Sequence, residues 1–242
     1  MSPQYRIKFI LKSSGAKRRL HIPHGVYKEQ LLERLADIEH IHNELNTARA
    51  SYAFLKGRNC ALMATQHVGF AYTLTMDIKD FFDSVHRRHL TGLVPDDLLD
   101  LCLIDDAPRQ GLPTSPLLAS IAMLSVDRQI MELIGKLNGD VRYTRYADDL
   151  AFSFDDKNLS AVLTDITAGY LKLNGFELNP RKTKLQSRKN GRRIITGIGV
   201  DDHGIHPTRA TLRRLRAAKH QLKETSAKGL EEWSLCRLPK QR

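Results

Sequence analysis

The sequence predicts an α+β fold in which an antiparallel sheet packs on helices, and three observations carry that expectation. Two runs of alternating β-favouring residues meet at Ala147-Asp148-Asp149: Val141, Tyr143 and Tyr146 precede the acids, and Leu150, Phe152 and Phe154 follow them. That is the pattern of a hairpin with carboxylates at its tip. Residues 71–77 alternate Tyr72, Leu74 and Met76 against Thr73, Thr75 and Asp77, which predicts a half-buried strand whose last residue presents a carboxylate. Helical spacing fills most of the remainder, beginning with Leu31, Leu32, Leu35, Ile38, Ile41 and Leu45 on one face of a helix expected over residues 28–53.

At 242 residues and 41% hydrophobic, the chain can bury one large core. The balance of 38 Lys and Arg against 27 Asp and Glu, formally +11, favours a polyanionic partner over a small acidic substrate. Nucleic acid leads that class. No apolar run approaches the roughly 18 to 20 residues of a membrane span, and the basic N-terminus lacks a signal peptide's apolar centre. A cytoplasmic protein without membrane partners is expected. Cys60, Cys102 and Cys236 form no CxxC and predict reduced thiols. The pairs His21/His24, His86/His89 and His203/His206 lack a third ligand at a metal-site spacing.

Taken in order, Lys8, Lys12, Lys17, Arg18 and Arg19 form a basic lip on an extended strand that turns at His21-Ile22-Pro23. Lys56-Gly57-Arg58 places two cations around a glycine, suited to phosphate approach or to a basic surface turn. Residues 78–90 turn helical after Asp77 with Phe81, Phe82 and Val85 inward, and Asp80 and Asp83 serve the helix dipole. Ser115 suits an N-cap and Pro116 the first helical position of an apolar helix running to Ile134. The Gln110-Gly111 turn before it is a natural place for an anion or a sugar-phosphate.

The doublet Asp148-Asp149 differs from those at 96/97, 105/106, 155/156 and 201/202 because it alone interrupts two apolar strands. Its spacing leaves open a metal site or acids chosen for their turn chemistry. Residues 159–173 predict an amphipathic helix stopped by Asn174-Gly175. A short strand at Phe176 and a basic turn at 179–184 follow, then a hairpin at Asn190-Gly191 and a second turn at 201–204. A basic helix after Pro207 and a further short helix close the chain.

The order of these pieces is specific. A strand ends in Asp77 with Phe82 five residues on; Gln-Gly and Ser-Pro precede a helix; Tyr-Ala-Asp-Asp sits in a hairpin; Gly-Phe with Asn-Pro-Arg-Lys-Thr and a hairpin with Ile-Thr-Gly follow. Over residues 18–220 this resembles the reverse transcriptase family. It is most similar to the bacterial retron and related defence-associated branch, through DIKDFFDSV at 77–85, AFLKGRN at 53–59, ATQH at 64–67 and Ile195-Thr196-Gly197. Two departures from the retron pattern stand out: Met63-Ala64-Thr65-Gln66-His67 where Asn-Ala-x-x-His is usual, and Ile195-Thr196-Gly197 where Val-Thr-Gly is usual.

The resemblance implies a right-hand polymerase with palm and fingers and a short or partial C-terminal thumb. It divides into fingers (1–70), palm strand and helix (71–90), a fingers/palm connection (91–115), palm (116–185), a primer-holding hairpin (186–204) and a short basic thumb-like segment (205–242). It implies RNA-directed DNA synthesis with two Mg²⁺ ions, Mn²⁺ able to substitute. Asp77 and Asp148 would bridge the ions, Asp149 assist, and the Ile78 carbonyl join the triphosphate side. Phe82 would exclude a 2′-hydroxyl, and Gln110 and Gly111 line the nucleotide. Arg58 with Lys56 would reach the triphosphate, and Lys182 would be a general acid or a basic turn residue.

His67, Thr196 and Gly197 would meet nucleic acid, while Arg209, Arg213, Arg214 and Arg216 track duplex phosphates. The implied partners are dNTPs, a dedicated noncoding RNA template, the DNA product and an effector protein in phage defence. Two other readings use the same residues: an RNA-binding scaffold that has kept the fold, and a polymerase making RNA or untemplated DNA.

Overall fold

The structure, a computed structural model, describes residues 4–11, 15 and 17–239; Lys12 of the basic lip and residues 240–242 of the thumb-like segment lie outside them. The lip is a hairpin of two strands, β1 (Tyr5–Leu11) and β2 (Lys17–Pro23), and β2 runs straight through the residues expected to turn. The helix expected over 28–53 starts earlier, breaks at Arg34 and ends sooner, as α1 (Gly25–Glu33) and α2 (Leu35–Leu45). The chain leaves the helix because its next backbone groups pair with a strand edge: Arg145 N–H donates to the Ala50 carbonyl and Tyr52 N–H to the Arg145 carbonyl, both at 2.8 Å.

Next, α3 (Cys60–Thr65) is capped by the Asn59 side chain, which accepts from Leu62 N–H at 2.8 Å. After β3 (Tyr72–Asp77), the expected helix over 78–90 contracts to α4 (Phe81–Ser84) and one 3₁₀ turn at Arg87–His89. Ile78 stays extended in a bridge to Leu178, and Asp80 takes a left-handed φ of 44° with no side-chain cap. The following helix is α5 (Asp96–Cys102).

The apolar helix expected to end at Ile134 is two helices, α6 (Ser115–Ala122) and α7 (Leu124–Ile134), and its N-cap is Thr114, one residue before Ser115. The break at Met123 has a cause in the ladder. The Ser120 carbonyl accepts Met123 N–H at 3.1 Å and also Arg145 Nη2 at 3.3 Å, so a side chain enters the helix where it kinks.

The central hairpin forms as expected, from β4 (Arg142–Tyr146) and β5 (Asp149–Phe154), and α8 (Leu159–Leu173) follows it. The strand expected at Phe176 is only the bridge at Leu178, followed by a 3₁₀ turn at Pro180–Lys182. Asn190-Gly191 does not close a hairpin: β6 (Lys184–Ser187) pairs with β3, whereas β7 (Arg193–Ile195) pairs with β8 (Ile198–Val200). The tight turn is Thr196-Gly197, with φ of 45° and 81°. Then β9 (Ile205–Pro207), α9 (Arg209–His220) and α10 (Glu224–Ser234) complete the order.

The main sheet runs β4-β5-β3-β6, all neighbours antiparallel, beside a three-stranded sheet β7-β8-β9. Period-two alternation gives it two buried faces. Leu74, Met76, Leu150, Phe152 and Phe154 enter the large core with α6, α7 and α8. On the other face Ala151 joins a smaller cluster with Met63, Ala64, Ile195, Ile198 and Val200. Among the described residues no helix is long and apolar enough to cross a membrane, and all three cysteines are free.

Candidate active site

Three segments converge where β3 ends and β5 begins. Register places Asp77 opposite Asp149. Ile78 N–H donates to the Asp148 carbonyl at 3.0 Å, and Asn179 N–H donates to the Asp77 carbonyl at 2.8 Å, which fixes three backbones around the acids. The hairpin turns through only Ala147 and Asp148, and Ala147 holds a φ of 55° that an L residue adopts under strain.

Asp77 is 5% exposed, and its carboxylate accepts from Lys182 Nζ at 2.6 Å and Asn179 Nδ2 at 3.2 Å. Burial lifts the Asp148 carboxyl above its ordinary range and the charge of Asp77 adds to it, while Lys182 and Arg18 pull the other way. Burial pushes Asp149 up to about 6, with Asp148 and Asp77 contributing. The hydrogen bond to Asp77 raises the Lys182 ammonium above its ordinary value against the cost of desolvation. Carboxylates that resist ionising beside one another call for a cation.

A cleft of about 1250 Å³ opens on this point and collects Asp77, Ile78, Phe82, Gln110, Gly111, Asp148 and Lys182 from the residues the sequence singled out. Gly111 is required sterically, because a Cβ there would run into the His21 carbonyl oxygen. Asp149 opens on the other side of the hairpin, into a hollow of about 230 Å³ shared with Thr196 and Gly197. Gly197 also borders a groove of about 1120 Å³ with Arg209, Arg213 and Arg214, whereas Arg216 turns its Nε to the Leu212 carbonyl at 3.4 Å.

Three expected contacts are not placed for their roles. Lys56 pairs with Glu39 at 2.8 Å, and Arg58 donates to the Ser51 carbonyl at 2.6 Å and lies over Tyr52; neither lines the cleft. His67 is fully buried, its ring nitrogens bonded to Ser153 Oγ at 2.9 Å and Thr144 Oγ1 at 2.7 Å, so nucleic acid cannot reach it. In their place, beside Lys79, Arg181 and Lys182, β2 brings Lys17, Arg18 and Arg19 to the cleft. The sequence marked that run as basic, and only the hairpin's fold over the cleft joins it to the acids. Asn179 was legible only as part of a turn.

Among the described residues no three His, Cys, Asp or Glu side chains are grouped closely enough to hold one ion. The donors nonetheless suit a divalent cation with oxygen preference: two carboxylates and the Ile78 residue face one cleft, and the Lys182 ammonium already sits on Asp77 as a stand-in cation.

A family model described as reverse transcriptase (RNA-dependent DNA polymerase) matches residues 106–223. The chain is 32% identical over 237 residues to the retron Mx65 reverse transcriptase of Myxococcus xanthus, covering 87% of this chain and 54% of that protein. It is 30% identical over 224 residues to the retron Ec73 reverse transcriptase of Escherichia coli, covering 82% and 69%. It spans about half the length of the Mx65 and Mx162 relatives, 54% and 52%.

Among solved structures, apo telomerase from Candida tropicalis truncated from its C-terminal domain superposes with a TM-score of 0.61 at 14% identity, over 84% of this chain and 55% of that one. The foamy viral protease-reverse transcriptase in complex with double-stranded DNA gives 0.53 at 13% identity, over 88% and 32%. The fold is therefore the palm and fingers of a right-hand polymerase, with the four-stranded sheet as palm.

Proposed function

Because the chain belongs to the retron-type reverse transcriptases, we propose that it is an RNA-directed DNA polymerase that copies a noncoding RNA template into DNA. The observation that carries this reading is the convergence of Asp77, at the end of β3, and Asp148, in the β4–β5 turn, on one cleft that also holds Phe82 and the cations of β2. Asp77, Asp148 and the Ile78 carbonyl would hold Mg²⁺, with Asp149 assisting from the far side of the hairpin. When bound, Mg²⁺ activates the primer 3′-hydroxyl and neutralises charge on the triphosphate.

The chain's own groups do the rest. Arg18, Arg19 and Lys182 supply positive charge for the triphosphate, in place of Lys56 and Arg58. Gln110 and Gly111 form the floor that positions the base and sugar. Phe82, half-buried at the cleft, would exclude a 2′-hydroxyl and so select dNTPs. Thr196-Gly197 sits beside Asp149 and suits the primer end, and Arg209, Arg213 and Arg214 suit the phosphates of the emerging duplex. Residues 1–70 would act as fingers and 205–242 as a short thumb.

The test is to purify the protein with its bound nucleic acid, then add Mg²⁺ and labelled dNTPs or rNTPs in parallel with Asp148→Asn. Labelled DNA that needs Asp148 and disappears after RNase treatment is the expected result, and sequencing it identifies the template. RNA binding insensitive to Mg²⁺ with no incorporation would overturn the reading in favour of a scaffold. Phe82→Ala is expected to admit rNTPs; an unchanged sugar preference removes Phe82 from that role.

A further inference from the structure

Among the described residues the largest fully buried side chains are two cations, Arg145 and Arg193, and Arg145 lies near the end of β4. It lies on the apolar face of the sheet, opposite Leu150, where alternation calls for a hydrophobic residue. Its partner Asp127, on α7, is equally buried. Arg145 Nε lies 2.9 and 3.0 Å from the two Asp127 oxygens, Nη2 lies 2.7 Å from Oδ2, and Tyr143 Oη donates to Oδ1 at 2.7 Å. The geometry is a planar fork on a carboxylate, which a lysine cannot reproduce.

The remaining donors of Arg145 point at the chemistry. Nη1 donates to the carbonyl of Ala147 at 3.2 Å, the peptide that leads into Asp148. Nη2 reaches the Ser120 carbonyl in the kink between α6 and α7. Ser120 Oγ in turn meets His42 Nε2 at 2.9 Å and Ser51 Oγ at 3.0 Å, so α2, the kink and the turn share one buried network. One guanidinium thus grips both the helix layer and the strained two-residue turn that carries an acid of the cleft.

We infer that Arg145, held by Asp127, is a positioning residue that sets the height and orientation of the Ala147-Asp148 turn and thereby the metal-binding geometry of Asp148. Arg145 touches no substrate. An apolar residue would fill the same space on the sheet, but it would leave the Ala147 carbonyl without a partner and the turn with one anchor fewer beside the Ile78 N–H bond to the Asp148 carbonyl. The inference rests on the polymerase reading for its kinetic consequence but not for its effect on cation binding.

The test uses two variants of the full chain. Arg145→Lys keeps the charge and loses the fork. The triple replacement Asp127→Leu, Tyr143→Phe and Arg145→Met removes the polar group and its partners together, the kind of exchange that preserves folding where single deletions do not. Each variant is checked for folding by circular dichroism and thermal unfolding. Single-nucleotide incorporation and Mn²⁺ binding by electron paramagnetic resonance, without nucleotide, are then measured.

Folded variants are expected to lose about 10²-fold in kcat with KM for dNTP within about twofold, and to bind Mn²⁺ about tenfold more weakly. A folded variant with parental kcat and a parental Mn²⁺ titration overturns the inference. If Arg145→Lys unfolds, the triple variant decides. If the parent chain incorporates nothing, the polymerase reading fails, and the Mn²⁺ titration still decides whether Arg145 positions the turn.

Discussion

Among the described residues, two hairpins with two-residue turns pass through a residue with positive φ, Ala147 at 55° and Thr196 at 45°, yet they stand on different foundations. Beneath the first, Leu150, Phe152 and Phe154 are fully buried in the large core and a guanidinium holds the turn from inside. Beneath the second, strands of three residues rest on a small cluster, and Ile194 is 45% exposed. The acid that must hold position is built on the rigid element, and the turn proposed to hold a moving strand is built on the lighter one. Precision is expensive in buried contacts, and the molecule concentrates it where a carboxylate has to be placed.

That contrast breaks if the two hairpins unfold as one. Truncating Phe152 to Ala removes a fully buried ring from the large core and is expected to cost about 3 to 5 kcal/mol. Ile198→Ala, in the smaller cluster, is expected to cost nearer 2 kcal/mol, because short strands can relax into the space. Urea unfolding of the two variants makes the comparison. Equal losses would mean that one cooperative core supports both turns.

The seam between the two regions can be probed by pH. His67 bridges β4 and β5, and the chain of hydroxyls from Ser153 to Thr73 ends on Arg193 of β7, within hydrogen-bond reach throughout. Burial pulls the His67 imidazole down to about 3, with Arg193 adding to it, and His42 is pulled down by burial to about 4. Both are neutral in the fold. As pH falls below the ordinary histidine value near 6.5, the unfolded chain takes up protons that the native state refuses. Stability is therefore full above that value and is lost toward acid, by up to about 1.4 kcal/mol per pH unit for each group. His67→Gln should remove one share of that slope between pH 6.5 and 5 in denaturant titrations. An unchanged slope would mean that the native protein can protonate the ring in place.

The strand 72–77, the central hairpin, α8 and the basic C-terminal helix were legible because each follows a simple period with proper end signals, whereas the pairing of β6 with β3 was not. Helix continuity was less legible. The breaks at Arg34 and Met123 contain neither Gly nor Pro, and the second is caused by a side chain arriving from β4. Asp77, Asp148, Phe82 and Gln110-Gly111 share one cleft, and their grouping was legible because they follow one another at element ends in a specific order. Arg145 and Asp127 were not, because a charged residue on a strand or helix is assigned to the solvent face unless its partner is known, and they are 18 positions apart. Lys56 and Arg58 misled for the opposite reason: two cations around a glycine suit phosphate, but Glu39 and the backbone of 49–51 already occupy them.

The smallest expected effect separates the two turns most directly. Gly197 has a φ of 81°, and its would-be Cβ meets nothing nearer than the Trp233 ring at 3.6 Å, an ordinary contact. Gly197→Ala therefore tests backbone strain alone, and should lower stability by about 1 kcal/mol. Ala147 already carries that strain, so Ala147→Gly relieves about the same amount, offset by the greater freedom glycine gives the unfolded chain, and the net change should be near zero or stabilising. Incorporation should respond in the reverse sense. Loosening the Ala147 turn slackens an acid of the cleft, while stiffening the Thr196-Gly197 turn leaves the acids in place and changes primer affinity. Thermal unfolding and single-nucleotide kinetics on these two variants give four numbers. If Ala147→Gly keeps full kcat, strain in the first turn contributes nothing to holding Asp148, and its rigidity comes from the hydrogen bonds of Arg145 and Ile78 to the turn's carbonyls.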